Sequence, residues 1–205
     1  MAKKIAERLL QINAIKLSPA NLFTWTSGWR SPIYCDNRRI LSHPAVRVEV
    51  RDAFAALVRA KYPAAEVVAG VATGAIAHGV LVAEALGLPF IYVRSAPKGH
   101  GLENLIEGDY AAGQRVVVIE DLISTGGSSL SAVAALRGAG LDVLGMAAVF
   151  TYSFDAAAAN FAEAGVALDT LSDYPTLVAL ARERGYIKPE EVAALEKWRE
   201  DPANF

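Results

Sequence analysis

The chain has one cysteine, Cys35, in 205 residues. No internal disulfide can form, and a reducing cytoplasmic setting fits. It has no basic excess: the formal net charge is −2 and the isoelectric point about 5.9, which argues against a nucleic-acid-binding surface. It has no run of 18 apolar residues, so no membrane span is expected. It lacks G-x-G-x-x-G and G-x-x-x-x-G-K-[ST], which speaks against a dinucleotide oxidoreductase and a Walker-type nucleotide site. There is no internal repeat and no low-complexity tail. What the chain has is apolar bulk. With 53% hydrophobic and 20% charged residues it can bury an ample core.

The opening residues alternate charges with aliphatics at helical spacing. They predict an amphipathic helix over 5–15, with Ile5, Leu9, Ile12 and Leu17 inward, and Glu7, Arg8, Gln11 and Asn13 break any secretory h-region. Residues 23–40 read as short strands around a Ser27-Gly28 turn. Helices are expected over 44–60, 75–86, 128–139, 155–164, 174–184 and 189–198. Strands are expected over 67–71, 90–93, 116–119, 143–150 and 166–168. The alternation predicts an α/β fold: a mostly parallel sheet with helices on both faces and ligands at the carboxyl ends of the strands. Residues 94–113 hold four glycines, a proline and mixed charges. They predict a long mobile loop, and loops of that length in compact domains are usually lids or binding loops.

Residues 116–129, VVVIEDLISTGGSS, carry the most chemistry. Four branched aliphatics run into Glu120 and Asp121. Leu122 and Ile123 follow, then Ser124-Thr125-Gly126-Gly127-Ser128, and a helical pattern begins. Adjacent carboxylates at a strand end repel each other and gain nothing unless a diol, a cation or a basic group is near. Small residues at a helix N-terminus offer backbone N–H groups and a favourable dipole to a phosphate. The segment thus predicts a site for a phosphorylated sugar. An acidic turn before an ordinary N-capped helix is the plainer alternative.

In the same residues the chain resembles the type I phosphoribosyltransferases, whose phosphoribosyl-diphosphate motif is an aliphatic strand, paired acids and T-G-G-S. Residues 23–38, FTWTSGWRSPIYCDNR, resemble the N-terminal substrate segment of the orotate-using branch, and residues 92–101, YVRSAPKGHG, resemble its flexible catalytic loop. The likeness is nearest to a Gram-positive-like branch. It runs in order from about residue 20 to about residue 155. Three lysines of the better-known pattern are missing, where this chain has Thr26, Gly74 and Ser95.

The resemblance implies one phosphoribosyltransferase domain over 1–205, with a small hood from about 1–40 and a catalytic loop over about 94–113. It implies transfer of phosphoribosyl from phosphoribosyl diphosphate to orotate, giving orotidine 5′-monophosphate and diphosphate in pyrimidine nucleotide synthesis. The implied cofactor is Mg²⁺, held mainly by substrate and water. Glu120 and Asp121 would hold the ribose hydroxyls. Leu122 and Ile123 would belong to the phosphoribosyl-diphosphate site, and Ser124, Thr125, Gly126, Gly127 and Ser128 would wrap the 5′-phosphate. Arg94, Lys98 and His100 would meet diphosphate, with Lys98, His100 and Asp121 in the catalytic roles. Val71-Ala72-Thr73-Gly74 would form a second small loop, with an unusual cis peptide. Ser124, Phe23, Ser27 and Tyr34 would approach orotate, whereas Trp25 and Trp29 read as core. A cytoplasmic homodimer whose loops serve neighbouring subunits is implied. His43 reads as a helix-entry residue, His78 as facing the sheet or solvent, and Cys35 as a buried small hydrophobe. The competing readings are a transferase for another base and a non-catalytic regulator that binds phosphoribosyl diphosphate. The regulator would need a basic DNA-binding module, for which the acidic chain leaves no room.

Overall fold

The computed structural model describes residues 1–25, 28–96 and 105–205. Helix α1 (Ala2–Gln11) opens the chain and buries Ile5, Leu9 and Leu10. It stops short of the expected residue 15 because Asn13 turns left-handed, at φ 54°, a conformation Asn tolerates better than most residues. Strands β1 (Ile15–Leu17), β2 (Phe23–Thr24), β3 (Arg30–Ser31) and β4 (Ile33–Cys35) form two small antiparallel sheets, β1 with β4 and β2 with β3. A 3-10 turn over Asn37–Ser42 leads into α2 (Pro44–Lys61), with Pro44 in its first turn.

The central sheet then builds from β5 (Val67–Val71), α3 (Ile76–Leu86), β6 (Phe90–Val93), β7 (Ile106–Glu107), β8 (Arg115–Ile123), α4 (Gly127–Gly138), β9 (Asp142–Thr151), α5 (Asp155–Glu163) and β10 (Leu168–Asp173). Its order is β10-β9-β8-β5-β6-β7, parallel throughout except for β7. Helix α6 (Tyr174–Glu183), a 3-10 turn over Pro189–Glu191 and α7 (Val192–Glu200) close the chain.

Side-chain alternation explains the two layers. Along β8, Val117 and Ile119 join the core beneath α1, α2, α3 and α6, while Val116 and Val118 join the core beneath α4 and α5. The β5-to-β6 crossover therefore lies on one face and the β8-to-β9 crossover on the other. Neighbouring strands β5 and β8 send their chains to opposite sides, which opens a crevice at their carboxyl ends.

Within the central sheet, three further boundaries differ from the sequence expectation. β8 runs four residues beyond 119, because β9 pairs alongside it as far as Ile123 and that ladder outweighs the weak strand preference of two acids. The expected loop 94–113 contains β7, whose Ile106 is buried against the edge of β6. The last strand covers 168–173 instead of 166–168, in register with the whole second half of β9.

Candidate active site

Glu120 and Asp121 stand near the carboxyl end of β8, beside the end of β5. Glu120 is 5% exposed; its carboxyl accepts from Ser129 Oγ at 2.8 Å and from the Asp121 N–H at 2.9 Å. Burial, then the charge of Asp121, push its pKa up from 4.5 to about 8, against those two hydrogen bonds. A carboxyl–carboxyl hydrogen bond to Asp121 acts the same way.

Asp121 leans over the turn after β5. A Cβ on Gly74 would lie 2.4 Å from the Asp121 carboxylate, so only glycine lets the two come together. The Ala72–Thr73 peptide in that turn is cis. From the other side Asn37 Nδ2 donates to the Asp121 carbonyl at 2.6 Å. His78, 2% exposed, bonds to the Asn37 backbone, and its Nε2 has no partner among the described residues. Burial lowers its pKa, against the charge of Asp121 and the bond to Asn37. Of its two expected surroundings, solvent is ruled out by this burial behind the acid strand.

After Ile123 the chain turns through Ser124 to Gly126 and enters α4. Gly126 has φ 84°, and a Cβ there would lie 2.6 Å from Phe161 Cε2. Asn160 Nδ2 ties the turn by donating to the Thr125 carbonyl at 2.9 Å. No side chain caps α4, so the N–H groups of its first turn stay open to an anion.

Two cavities meet here. One, of about 390 Å³, is floored by Glu120 and Asp121 and bounded by residues 71–74, Ser128, Asp36 and Arg38. The other, of about 480 Å³, is walled by Trp25, Trp29, Tyr34 and Tyr152, with Ser124 and Thr125 at its polar side. Cys35 and Leu122 line both. The first suits a polar ligand carrying hydroxyls and negative charge. The second suits a flat ring, since four aromatic side chains line it and Ser124 and Thr125 offer polar groups at one side.

Most of the predicted site residues converge on this crevice. Glu120, Asp121, Leu122, Ser124, Thr125, Ser128 and Tyr34 line the two cavities, and Ile123, Gly126 and Gly127 form the connecting backbone. Phe23 stands behind Tyr34, 5.8 Å between ring centres. Arg94 Nη1 lies 3.5 Å from Glu107 Oε1 on the neighbouring edge strand, an ion pair within the protein. Ser27, Lys98 and His100 lie outside the described residues. Cys35 is half-buried rather than buried, because β4 runs along the wall between the cavities. Trp25 and Trp29 pack on the core and also face the aromatic-walled cavity. Tyr152 escaped the sequence analysis, and Asn37 and Arg38 were given no role of their own there, although they close the substrate-like segment 23–38. Tyr152 could have been found as an aromatic just past a parallel strand's carboxyl end; for the other two the signal was their place at the end of segment 23–38.

Residues 36–164 match the family model of the phosphoribosyl transferase domain. Over all 205 residues the chain is 56% identical to orotate phosphoribosyltransferase of Phocaeicola vulgatus, covering 97% of it, and 52% identical to that of Streptococcus sanguinis, covering 98%. Among solved structures it is similar to orotate phosphoribosyltransferase from Aeropyrum pernix, with TM-score 0.77, 29% identity, and 90% and 99% of the two chains covered. It is also similar to the Mycobacterium tuberculosis orotate phosphoribosyltransferase in complex with 5-phospho-alpha-D-ribosyl 1-diphosphate, with TM-score 0.65, 29% identity, and 85% and 97% covered.

Proposed function

The chain belongs to the phosphoribosyltransferase family, and from that premise we propose that it transfers phosphoribosyl from phosphoribosyl diphosphate to orotate, in pyrimidine nucleotide synthesis. One observation carries the reading: an acid-floored cavity and an aromatic-walled cavity adjoin across Cys35 and Leu122. A sugar in the first and a flat base in the second would meet where a bond between them must form. The full-length relatives named for orotate support the choice of base.

In this reading a ring nitrogen of orotate attacks C1 of the sugar as the C1–O bond breaks, and diphosphate leaves with the electron pair. Asp121 and Glu120 hold the ribose hydroxyls. The open N–H groups and hydroxyls of residues 124–128 hold the 5′-phosphate. Trp25, Trp29, Tyr34 and Tyr152 keep the base flat and dry, which makes position rather than a covalent intermediate the main contribution. Lys98 and His100, by the family resemblance, offset the charge of the leaving group.

The open carboxylate of Asp121 is a hard oxygen donor of the kind Mg²⁺ prefers. Among the described residues no group of three or more His, Cys, Asp or Glu stands ready to hold a metal alone. Asp121 would therefore hold the ion through water, together with oxygens of the sugar diphosphate. Bound there, Mg²⁺ supplies charge neutralisation for the departing diphosphate.

Orotate absorbance should fall only when phosphoribosyl diphosphate and Mg²⁺ are both present, and uracil or a purine should not replace orotate. Turnover with another base alone would displace the reading. We place the loops in a homodimer, each serving its neighbour's site. Lys98→Ala should cut turnover about 100-fold or more while orotate still binds. Mixed with an inactive Asp121→Asn protein it should regain activity, because one site of the mixed dimer then has both groups. No recovery on mixing would rule out shared sites.

A further inference from the structure

The acid-floored cavity has an electrostatic problem. Glu120, Asp121 and Asp36 all face it, yet the proposed donor is itself a polyanion. Among the described residues lining it there is a single cation, Arg38. Its geometry is that of a prepared ligand group. Arg38 follows β4 in the first turn of the 3-10 segment, whose start Asp36 caps by accepting from the Arg38 N–H at 3.2 Å. The same Asp36 oxygen accepts from Arg38 Nε at 2.6 Å. That bond uses only one of the five guanidinium donors. Nη1 and Nη2 make no hydrogen bond to the described residues, so four N–H donors remain in a fork whose stem is already fixed.

We propose that Arg38 binds the diphosphate of the donor, on the side of the cavity formed by the turn at residues 72–74. This rests on the reading of the site given above and extends it to a residue outside the acid strand and the loop. The 5′-phosphate has its own seat at the start of α4. The acid pair takes the ribose between, so the C1 end of the sugar points away from α4, into the part of the cavity that Arg38 and the 72–74 turn also line. A guanidinium held at Nε presents its η nitrogens as a planar pair, which matches two phosphate oxygens better than a lone ammonium would. The Asp36 bond also removes rotamers that a free arginine would lose on binding.

The Arg38 side chain is 64% exposed, and its capping bond comes from the backbone, so Arg38→Ala should fold and melt like the parent. Binding of inorganic diphosphate with Mg²⁺ by calorimetry should weaken about tenfold or more in Arg38→Ala, and ribose 5-phosphate should bind within about twofold of the parent. The KM for phosphoribosyl diphosphate should rise by a similar factor and that for orotate should stay put. Arg38→Lys should restore part of the loss. Unchanged diphosphate affinity in Arg38→Ala would overturn the assignment, as would equal weakening of ribose 5-phosphate. A parent protein that binds diphosphate and the donor but leaves orotate untouched would instead overturn the choice of base, and the diphosphate titration would still decide on Arg38.

Discussion

Glu120 shows how far one residue's environment can depart from its sequence neighbourhood. In the sequence it is one of two equivalent acids. In the fold it points toward Ser129 of α4 and is buried, while Asp121 faces the Gly74 turn and the cavity. The two therefore divide the work: Asp121 is the open carboxylate and Glu120 the one that keeps a proton. The sign of the resulting pH effect follows from linkage. The folded chain holds this proton up to about pH 8, whereas an unfolded glutamate releases it near 4.5. Between those values the folded state binds more protons, so this group makes stability fall as pH rises through the window, with no further change above it. Thermal melts of Glu120→Gln between pH 5 and 9 should show a flatter slope than the parent, with the variant gaining ground toward pH 9. Parallel curves would mean that Glu120 is ionised in the fold.

At the scale of elements, the turn from β8 into α4 depends on fit rather than on propensity. Gly126 combines a positive φ with close contact to Phe161, a residue of α5 that is remote in sequence. Gly126→Ala should cost roughly 1–3 kcal/mol through backbone strain and the clash. It should also raise the KM for the sugar diphosphate, since the N–H groups of the turn would shift. A variant with the parent's melting point would show that the turn relaxes freely. The T-G-G-S spacing made this turn legible in the sequence, although of its two glycines only Gly126 takes a positive φ and meets a close neighbour. The extension of β8 through its acids was not legible. Local preference argued for a turn at Glu120, and only pairing with β9 keeps the chain extended.

Across the whole molecule, the far end of the chain shapes the base cavity. Trp198 of α7 is fully buried, donates from Nε1 to the Arg30 carbonyl at 3.1 Å, and meets the rings of Trp25, Tyr152, Phe154 and Tyr174. Arg199 Nη1 adds a bond to the Ser153 carbonyl at 2.9 Å. The C-terminal helix thus braces both the β2–β3 hairpin and the end of β9, the two walls of the aromatic cavity. Trp198→Ala should cost about 3–5 kcal/mol and lower the melting temperature by on the order of 10 °C. Trp198→Phe keeps a ring but loses the N–H, and should raise the KM for orotate a few-fold with the donor's KM unchanged. An unaltered orotate KM in that variant would reduce α7 to a purely stabilising element.

The sequence alone determined the alternating α/β pattern, because apolar periodicity is written locally in each segment. It determined the acid pair and the glycine turn for the same reason: their chemistry is contiguous along the chain. Tertiary structure alone decided which acid is buried, that Arg38 and Asn37 share the crevice, and that Trp198 stands behind Trp25. Those facts depend on strand pairing and on helix packing over separations of 80 to 170 residues. Burial and charge coupling are properties of such packed neighbours, and no window of sequence contains them.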